Sequence, residues 1–148
     1  MQKKDIYAKL ITSESGLCLK DTLHEVSRAV NVIKYSAESA LRLSDFIESE
    51  SFFIGNTEYI ADVIREPVGI VACITPFNHP LNQVVHKVCP ALASNNACLL
   101  KPSEQTPLTA YMFIDDVLQC GIPPEMLKLL QGTLSRSAVK YANQIKYL

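Results

Sequence analysis

Apolar positions recur along this chain in two rhythms, and each predicts a different element. Over residues 4–13, Ile6, Tyr7, Leu10 and Ile11 fall on one side of a helix, with Gly16 just past its end. A longer helical stripe, Leu23, Val26, Val30, Ile33, Ala37, Ala40 and Leu41, predicts one helix over 20–47, with Asp21 or Thr22 as its cap. The pattern then breaks at FFIGNTEYIADVIRE, which reads as strand, Gly-Asn turn and strand. After Pro67 comes a continuous apolar run, Val68 to Ile74, of the kind that suits a strand covered on both faces.

From there the segments alternate. Proline is favoured at the first helical position, so His79 is the expected N-cap and Pro80 the first residue of a helix. Leu81, Val84, Val85, Val88 and Leu92 form its apolar face, and Pro90 should bend it. ACLL (97–100) is a short buried strand ending at Lys101-Pro102. Thr106 and Pro107 open the next helix; Gly121 and Pro123 close it. LKLLQG gives a third strand ending at Gly132, residues 134–142 a short helix, and QIKYL the start of a fourth strand. This order predicts an α/β fold: an incomplete Rossmann-like parallel sheet with flanking helices, preceded by N-terminal helices and a β-hairpin. The corresponding divisions are 1–50 helical, 51–67 hairpin and 68–148 the sheet unit. Ligands in such sheets gather at the carboxyl ends of the strands. TPFN (75–78), KPSE (101–104) and Gly132 all lie there.

Composition narrows the classes. A net charge of −1 with no basic block argues against nucleic acid or an anionic membrane as partner. No apolar run approaches the ~20 residues of a membrane span, and no secretory signal opens the chain. Five cysteines without CxxC spacing read as reduced thiols of a cytoplasmic protein, and no metal-ligand cluster is evident. Cys73, Cys89, Cys98 and Cys120 are expected to be packing residues.

The block EPVGIVACITPFNHPLNQVVHKVCPALASNNACLLKPSEQTPL closely resembles the aldehyde dehydrogenase superfamily: a TPFN-type turn, then KVCPAL, then KPSE with TPL, in order. The resemblance covers nearly the whole chain and implies the first half of an NAD(P)-binding domain. It implies that Asn78 offers its side-chain N–H to an oxyanion hole, stabilising the negative oxygen formed when a cysteine thiolate attacks the aldehyde. An amide suits that task because it donates without titrating. It implies that Lys101 and Glu104, with Ser103 beside them, reach the adenosine ribose. Thr75, Pro76 and Phe77 would line the nicotinamide side, and Gly132 would let the adenine approach the backbone. Glu104 would repel a 2′-phosphate, which favours NAD over NADP.

TPFNHPLNQVVHK resembles the branch acting on small polar aldehydes such as phosphonoacetaldehyde and lactaldehyde. His79 and Arg28 are therefore candidates to meet an anionic substrate tail. The alternative readings are a plain helix cap for His79, a solvated charge for Arg28 and an Asx-turn for Asn78. Lys87 matches a family lysine but reads as a solvated residue.

The resemblance also implies that the nucleophilic cysteine and glutamate base lie downstream of this segment. The chain is thus expected to be an interior fragment of an aldehyde dehydrogenase, inactive alone. The rival expectations are a non-catalytic remnant or interaction module, and one half of a split enzyme joined by a complementing chain. Homo-oligomerisation is expected as well, since a half-domain leaves strands that seek partners. Two departures from the family pattern concern loops: Ser94-Asn95-Asn96 stands where a Gly-Asn is usual, with Asn able to turn left-handed, and Pro124-Glu125 stands where Pro-x-Gly is usual.

Overall fold

A computed structural model describes residues 3–43 and 48–132. Two helices come first, α1 (Lys4–Ser15) and α2 (Leu19–Ala40), then a hairpin of β1 (Glu48–Ile54) and β2 (Thr57–Val63). The remainder alternates: β3 (Ile70–Ile74), α3 (Pro80–Ala93), β4 (Ala97–Lys101), α4 (Pro107–Gln119) and β5 (Leu127–Leu129). The three later strands form a parallel sheet in the order β3-β4-β5, with Cys73 opposite Leu100 and Leu100 opposite Leu129. The expected α/β architecture is present. The short helix over 134–142 and the strand at QIKYL lie outside the described residues.

One face of the sheet carries the core. Cys73, Cys98, Leu100 and Leu127 pack against Leu81, Val84, Val85 and Val88 of α3 and Ala110, Phe113 and Ile114 of α4. Tyr7, Ala8, Ile11, Val26 and Ala29 of α1 and α2 close the same cluster from outside. The order is therefore sheet, then α3 and α4, then the α1–α2 pair. The other face carries a small cluster, Leu99 and Leu130, which alternation assigns to the opposite side of β4 from Leu100.

Several expectations need correction. The long helix ends at Ala40 rather than 47, and Cys18 is its N-cap. Neither Asp21 nor Thr22 caps it: Asp21 accepts a contact from the Cys18 thiol, and the Thr22 hydroxyl donates to the Leu19 carbonyl. Its buried face overlaps the apolar stripe at Val26, with Leu23 partly buried against the core, but does not follow it throughout. Thr22, Glu25, Val26, Ala29 and Ser36 are buried, whereas Ile33 and Leu41 are exposed. Thr22 and Glu25 of that face make hydrogen bonds, so burial follows polar partners and not hydropathy alone.

β3 is likewise shorter than the apolar run. It lies at a sheet edge among the described strands, and only Cys73 of its five residues is buried. The strand covered throughout is β4, which has neighbours on both sides. α3 contains Pro90 in its last turn, as expected, and runs on to Ala93. Of the cysteines expected to pack, Cys120 is exposed at the C-cap of α4.

The loop departures have physical answers. Asn95 does turn left-handed (φ 59). Asn96 is buried; its carbonyl accepts the Gly69 N–H at 2.9 Å and its amide donates to the Ala91 and Ser94 carbonyls. One side chain thus ties the end of α3 to the start of β3. In the hairpin, Gly55 has φ 61 whereas Asn56 stays negative, the pattern of a type II′ turn.

Candidate functional site

Two strands end side by side, and each hands over to a helix through a short polar loop. β3 leads through Thr75-Pro76-Phe77-Asn78-His79 into α3; β4 leads through Pro102-Ser103-Glu104-Gln105-Thr106 into α4. The Thr75 N–H donates to the Lys101 carbonyl at 3.1 Å, extending the ladder past the last paired residues. The Thr106 hydroxyl reaches the Phe77 carbonyl at 3.5 Å. Leu130 N–H donates to the Leu100 carbonyl at 2.8 Å, so the third segment stays level with the second, and Gly132 follows two residues on. Gly132 has φ 144, a value glycine alone adopts readily. The structure therefore brings TPFN, KPSE and Gly132 to one edge of the sheet.

Within that edge the side chains differ. Thr75 is buried, while Pro76, Phe77 and Asn78 are exposed. The Asn78 amide has no hydrogen-bond partner among the described residues, so it does not make an Asx-turn. Lys101 is 3 % exposed; its ammonium donates to the Pro102 carbonyl and to Glu104 Oε2, both at 3.0 Å. Glu104 is half exposed. A hydrogen bond from its own backbone N–H, then the Lys101 ammonium, holds its carboxyl below the usual range. The Ser103 hydroxyl accepts the Gln105 N–H at 3.2 Å. A buried ammonium beside an exposed carboxylate offers a donor and an acceptor together, as a vicinal diol requires.

His79 and Thr106 do occupy the N-cap positions, but neither side chain caps its helix. Two glutamates from the N-terminal pair do so instead. Glu25 of α2 is 3 % exposed, and its Oε1 accepts the N–H groups of Leu81 and Asn82 at 2.9 and 3.0 Å. Its Oε2 lies 3.3 Å from His79 Nδ1. Glu14 of α1 accepts the N–H groups of Leu108 and Thr109 at 2.8 and 3.0 Å, and also the Thr109 hydroxyl. Proline at the first position of each helix has no N–H, so the donors of the second and third residues are the orphans that remain. Sequence reasoning missed both glutamates. The available signal was a weak capping residue, His79, before a proline, which leaves those donors to an acceptor from elsewhere.

The caps constrain what the edge can bind. A helix N-terminus ordinarily attracts phosphate, and in nucleotide-binding sheets the first one often holds it. Here both N-termini are filled by the protein's own carboxylates. This edge therefore presents side chains and strand ends but no free helix start, and the sequence has no GxGxxG segment.

Arg28 stands one turn beyond Glu25 on α2, exposed, with no ion pair among the described residues. Lys87 is exposed. Burial pushes the Cys89 thiol up to about 12, and contact with Cys73 together with burial pushes Cys98 well above the usual thiol range. Both are protonated packing groups at neutral pH. Among the described residues no group of three or more His, Cys, Asp or Glu is placed to hold a metal, and no helix is long and apolar enough to cross a membrane. Cavities of about 360, 240 and 810 Å³ lie away from this edge; the last two line the groove between α2 and α4.

Comparison with known proteins agrees with this geometry. Residues 1–144 match the sequence profile of the Aldehyde dehydrogenase family. An aspartate-semialdehyde dehydrogenase of Pseudomonas canavaninivorans is 40% identical over 85% of this chain and 27% of its own length. A 3-sulfolactaldehyde dehydrogenase of Priestia megaterium is 36% identical over 89% of this chain and 28% of its own. An NADP-dependent glyceraldehyde-3-phosphate dehydrogenase from Bacillus halodurans, solved with NADP, superposes with a TM-score of 0.79 at 33% identity, covering 90% of this chain and 28% of that one. A double mutant of betaine aldehyde dehydrogenase from Staphylococcus aureus, solved with NAD+, gives 0.81 at 33% identity, covering 90% and 26%. The chain spans about a quarter of the length of the curated relatives it matches. A profile match over nearly every residue, joined to the same fold in solved relatives, shows that this chain belongs to the aldehyde dehydrogenase family.

Proposed function

We propose that this segment supplies the first half of the cofactor-binding unit of an NAD(P)-dependent aldehyde dehydrogenase, together with one oxyanion donor. The observation that carries the reading is the shared edge: an Asn78 amide without a partner among the described residues lies in the loop after one strand, and a buried Lys101 ammonium paired with an exposed Glu104 carboxylate ends the neighbouring strand. Lys101 and Glu104 hold the ribose hydroxyls, with Ser103 next to them; Thr75, Pro76 and Phe77 line the nicotinamide side, and Gly132 admits the adenine. Asn78 donates to the oxygen that gains charge as a thiolate adds to the aldehyde, worth about 3–4 kcal/mol for one such donor. The bound cofactor accepts the hydride. Glu104 faces any 2′-phosphate with like charge, so NAD is preferred to NADP.

The substrate is a small polar aldehyde with an anionic tail. Two relatives are named for anionic aldehydes, aspartate semialdehyde and 3-sulfolactaldehyde. Arg28 and His79, one turn and one contact from Glu25, are the groups we assign to that tail. The nucleophilic cysteine and glutamate base belong to other parts of such an enzyme, so these residues alone do not turn over aldehyde in the cytoplasm. Calorimetric titration tests the reading. NAD should bind more weakly than micromolar and more tightly than NADP, and Glu104→Gln should narrow that difference; equal affinities that Glu104→Gln leaves equal contradict it.

A second reading is favoured by the hairpin. Every residue of β2 is exposed, and so are Phe52, Phe53 and Ile54 of β1. An uncovered hairpin suits a chain that acts by pairing, either with a further copy or with a complementing chain. Size-exclusion chromatography of a Phe53→Ser, Ile60→Ser variant separates the two: unchanged association removes this reading.

A further inference from the structure

We propose that Glu25 and Glu14 are positioning residues, which set the two candidate cofactor loops through the first turns of α3 and α4. The proposal rests on the reading of those loops given above, but the clamping itself is tested without cofactor or aldehyde.

Asn78 precedes the N-cap of α3 by one residue, and Glu104 precedes the N-cap of α4 by two. A loop this close to a helix start has few free dihedrals, so its placement follows that of the first turn. Each first turn is held by a carboxylate from another element. Glu25 lies 56 and 57 residues before its two backbone donors, and Glu14 lies 94 and 95 before its own. These are long-range tethers from an outer helical pair, not local caps. A further tie sets that pair against the sheet unit: Tyr7 and Lys3 of the N-terminal segment both reach Asp116 of α4, at 2.9 and 2.5 Å.

The two tethers are selective. Glu25 also engages His79 Nδ1, the residue directly after Asn78, so it holds the last residue of that loop as well as the first turn of α3. Among the described residues Glu14 makes no hydrogen bond to that loop; its side chain bonds to Leu108 and Thr109. Helix starts favour negative charge, so both acceptors also suit the local field. In the family reaction the gap between an oxyanion donor and its target must hold within a fraction of an ångström. Glu25 supplies that hold for Asn78 through His79 and the first turn of α3.

Nuclear magnetic resonance on the ¹⁵N-labelled 148-residue chain provides the test. In Glu25→Ala, exchange at the Leu81 and Asn82 amides should accelerate by about tenfold to a hundredfold, as expected when a buried donor loses its acceptor. The Asn78 side-chain amide signals should shift, while Thr109 and Glu104 stay in place. Glu25→Gln keeps a carbonyl acceptor, so it should restore the Asn78 signals and most of the protection. Glu14→Ala should show the converse selectivity, moving Leu108, Thr109 and Glu104 and leaving Asn78. The proposal is overturned if Glu25→Ala leaves the Asn78 signals unmoved, if Glu25→Gln fails to restore them, or if both alanine variants loosen all amides alike. Should Glu25→Ala not give a dispersed spectrum, Glu25→Asp takes its place: its shorter carboxyl should move Asn78, and an unmoved Asn78 overturns the proposal. Migration of NAD-induced shifts to other loops would instead refute the cofactor reading and leave the tethers standing.

Discussion

The junctions β3–α3 and β4–α4 share one design and differ in depth. Each runs from a parallel strand through a polar loop to a proline-started helix, and each is capped by a glutamate from outside. At α3 the cap is buried, one oxygen serving two backbone donors and the other a histidine. At α4 the cap is half-buried and its two oxygens divide the donors. The charge arrangement runs the other way. The α3 loop presents a neutral amide with no partner among the described residues; at the α4 junction the last residue of β4 supplies a buried ammonium, paired with a carboxylate of the loop. The difference teaches how a site can be rigid behind and free in front: the acceptor groups are spent on the rear of the loop where the exposed donor needs no internal partner.

The largest effect expected is on stability. Glu25→Ala leaves two buried N–H groups without acceptors and should cost about 2–4 kcal/mol, against about 1–2 for Glu14→Ala at its wetter site. Urea unfolding measures both, and equal losses would break the comparison. Next, Asn78→Ala should stay within about 0.5 kcal/mol of the parent, because an exposed amide without partners stabilises nothing. A loss of several times that size would show that the amide is structural. The smallest effect is electrostatic. Glu104 is depressed in the folded chain, so its contribution is present above the ordinary glutamate value near ~4.3 and disappears as pH falls through the lower folded value. A ¹³C carboxyl titration should find that lower midpoint, and Lys101→Met should raise it part of the way, because the backbone N–H remains. A midpoint at the ordinary value would dissolve the pairing.

How much of this was legible in the residues depends on range. Pro80, Pro107 and Gly121 mark their helix ends through local backbone preferences, and those ends stand within two residues of expectation. The convergence of TPFN and KPSE followed from strand order alone. What was hidden is long-range. The stripe on α2 pointed to Val30 and Ile33, yet Glu25 and Thr22 are more deeply buried than either, because orphan N–H groups on α3 and a hydroxyl on α1 wait for them. The run Val68–Ile74 promised a strand covered on both faces, but coverage depends on neighbouring strands, and among the described ones β3 has a single neighbour. The II′ turn at Gly55 was readable; the exposure of the whole hairpin was not, since Phe53, Ile54 and Ile60 would suit a core equally well.

The most direct measurement is a map of NAD-induced amide shifts on the ¹⁵N-labelled chain. Perturbations at Thr75 to Asn78 and at Lys101 to Glu104 together, with Gly132 following, are the expected result. Perturbations gathered instead in the groove between α2 and α4, around Val30, Ile33 and Cys120, would contradict the shared edge as the cofactor site.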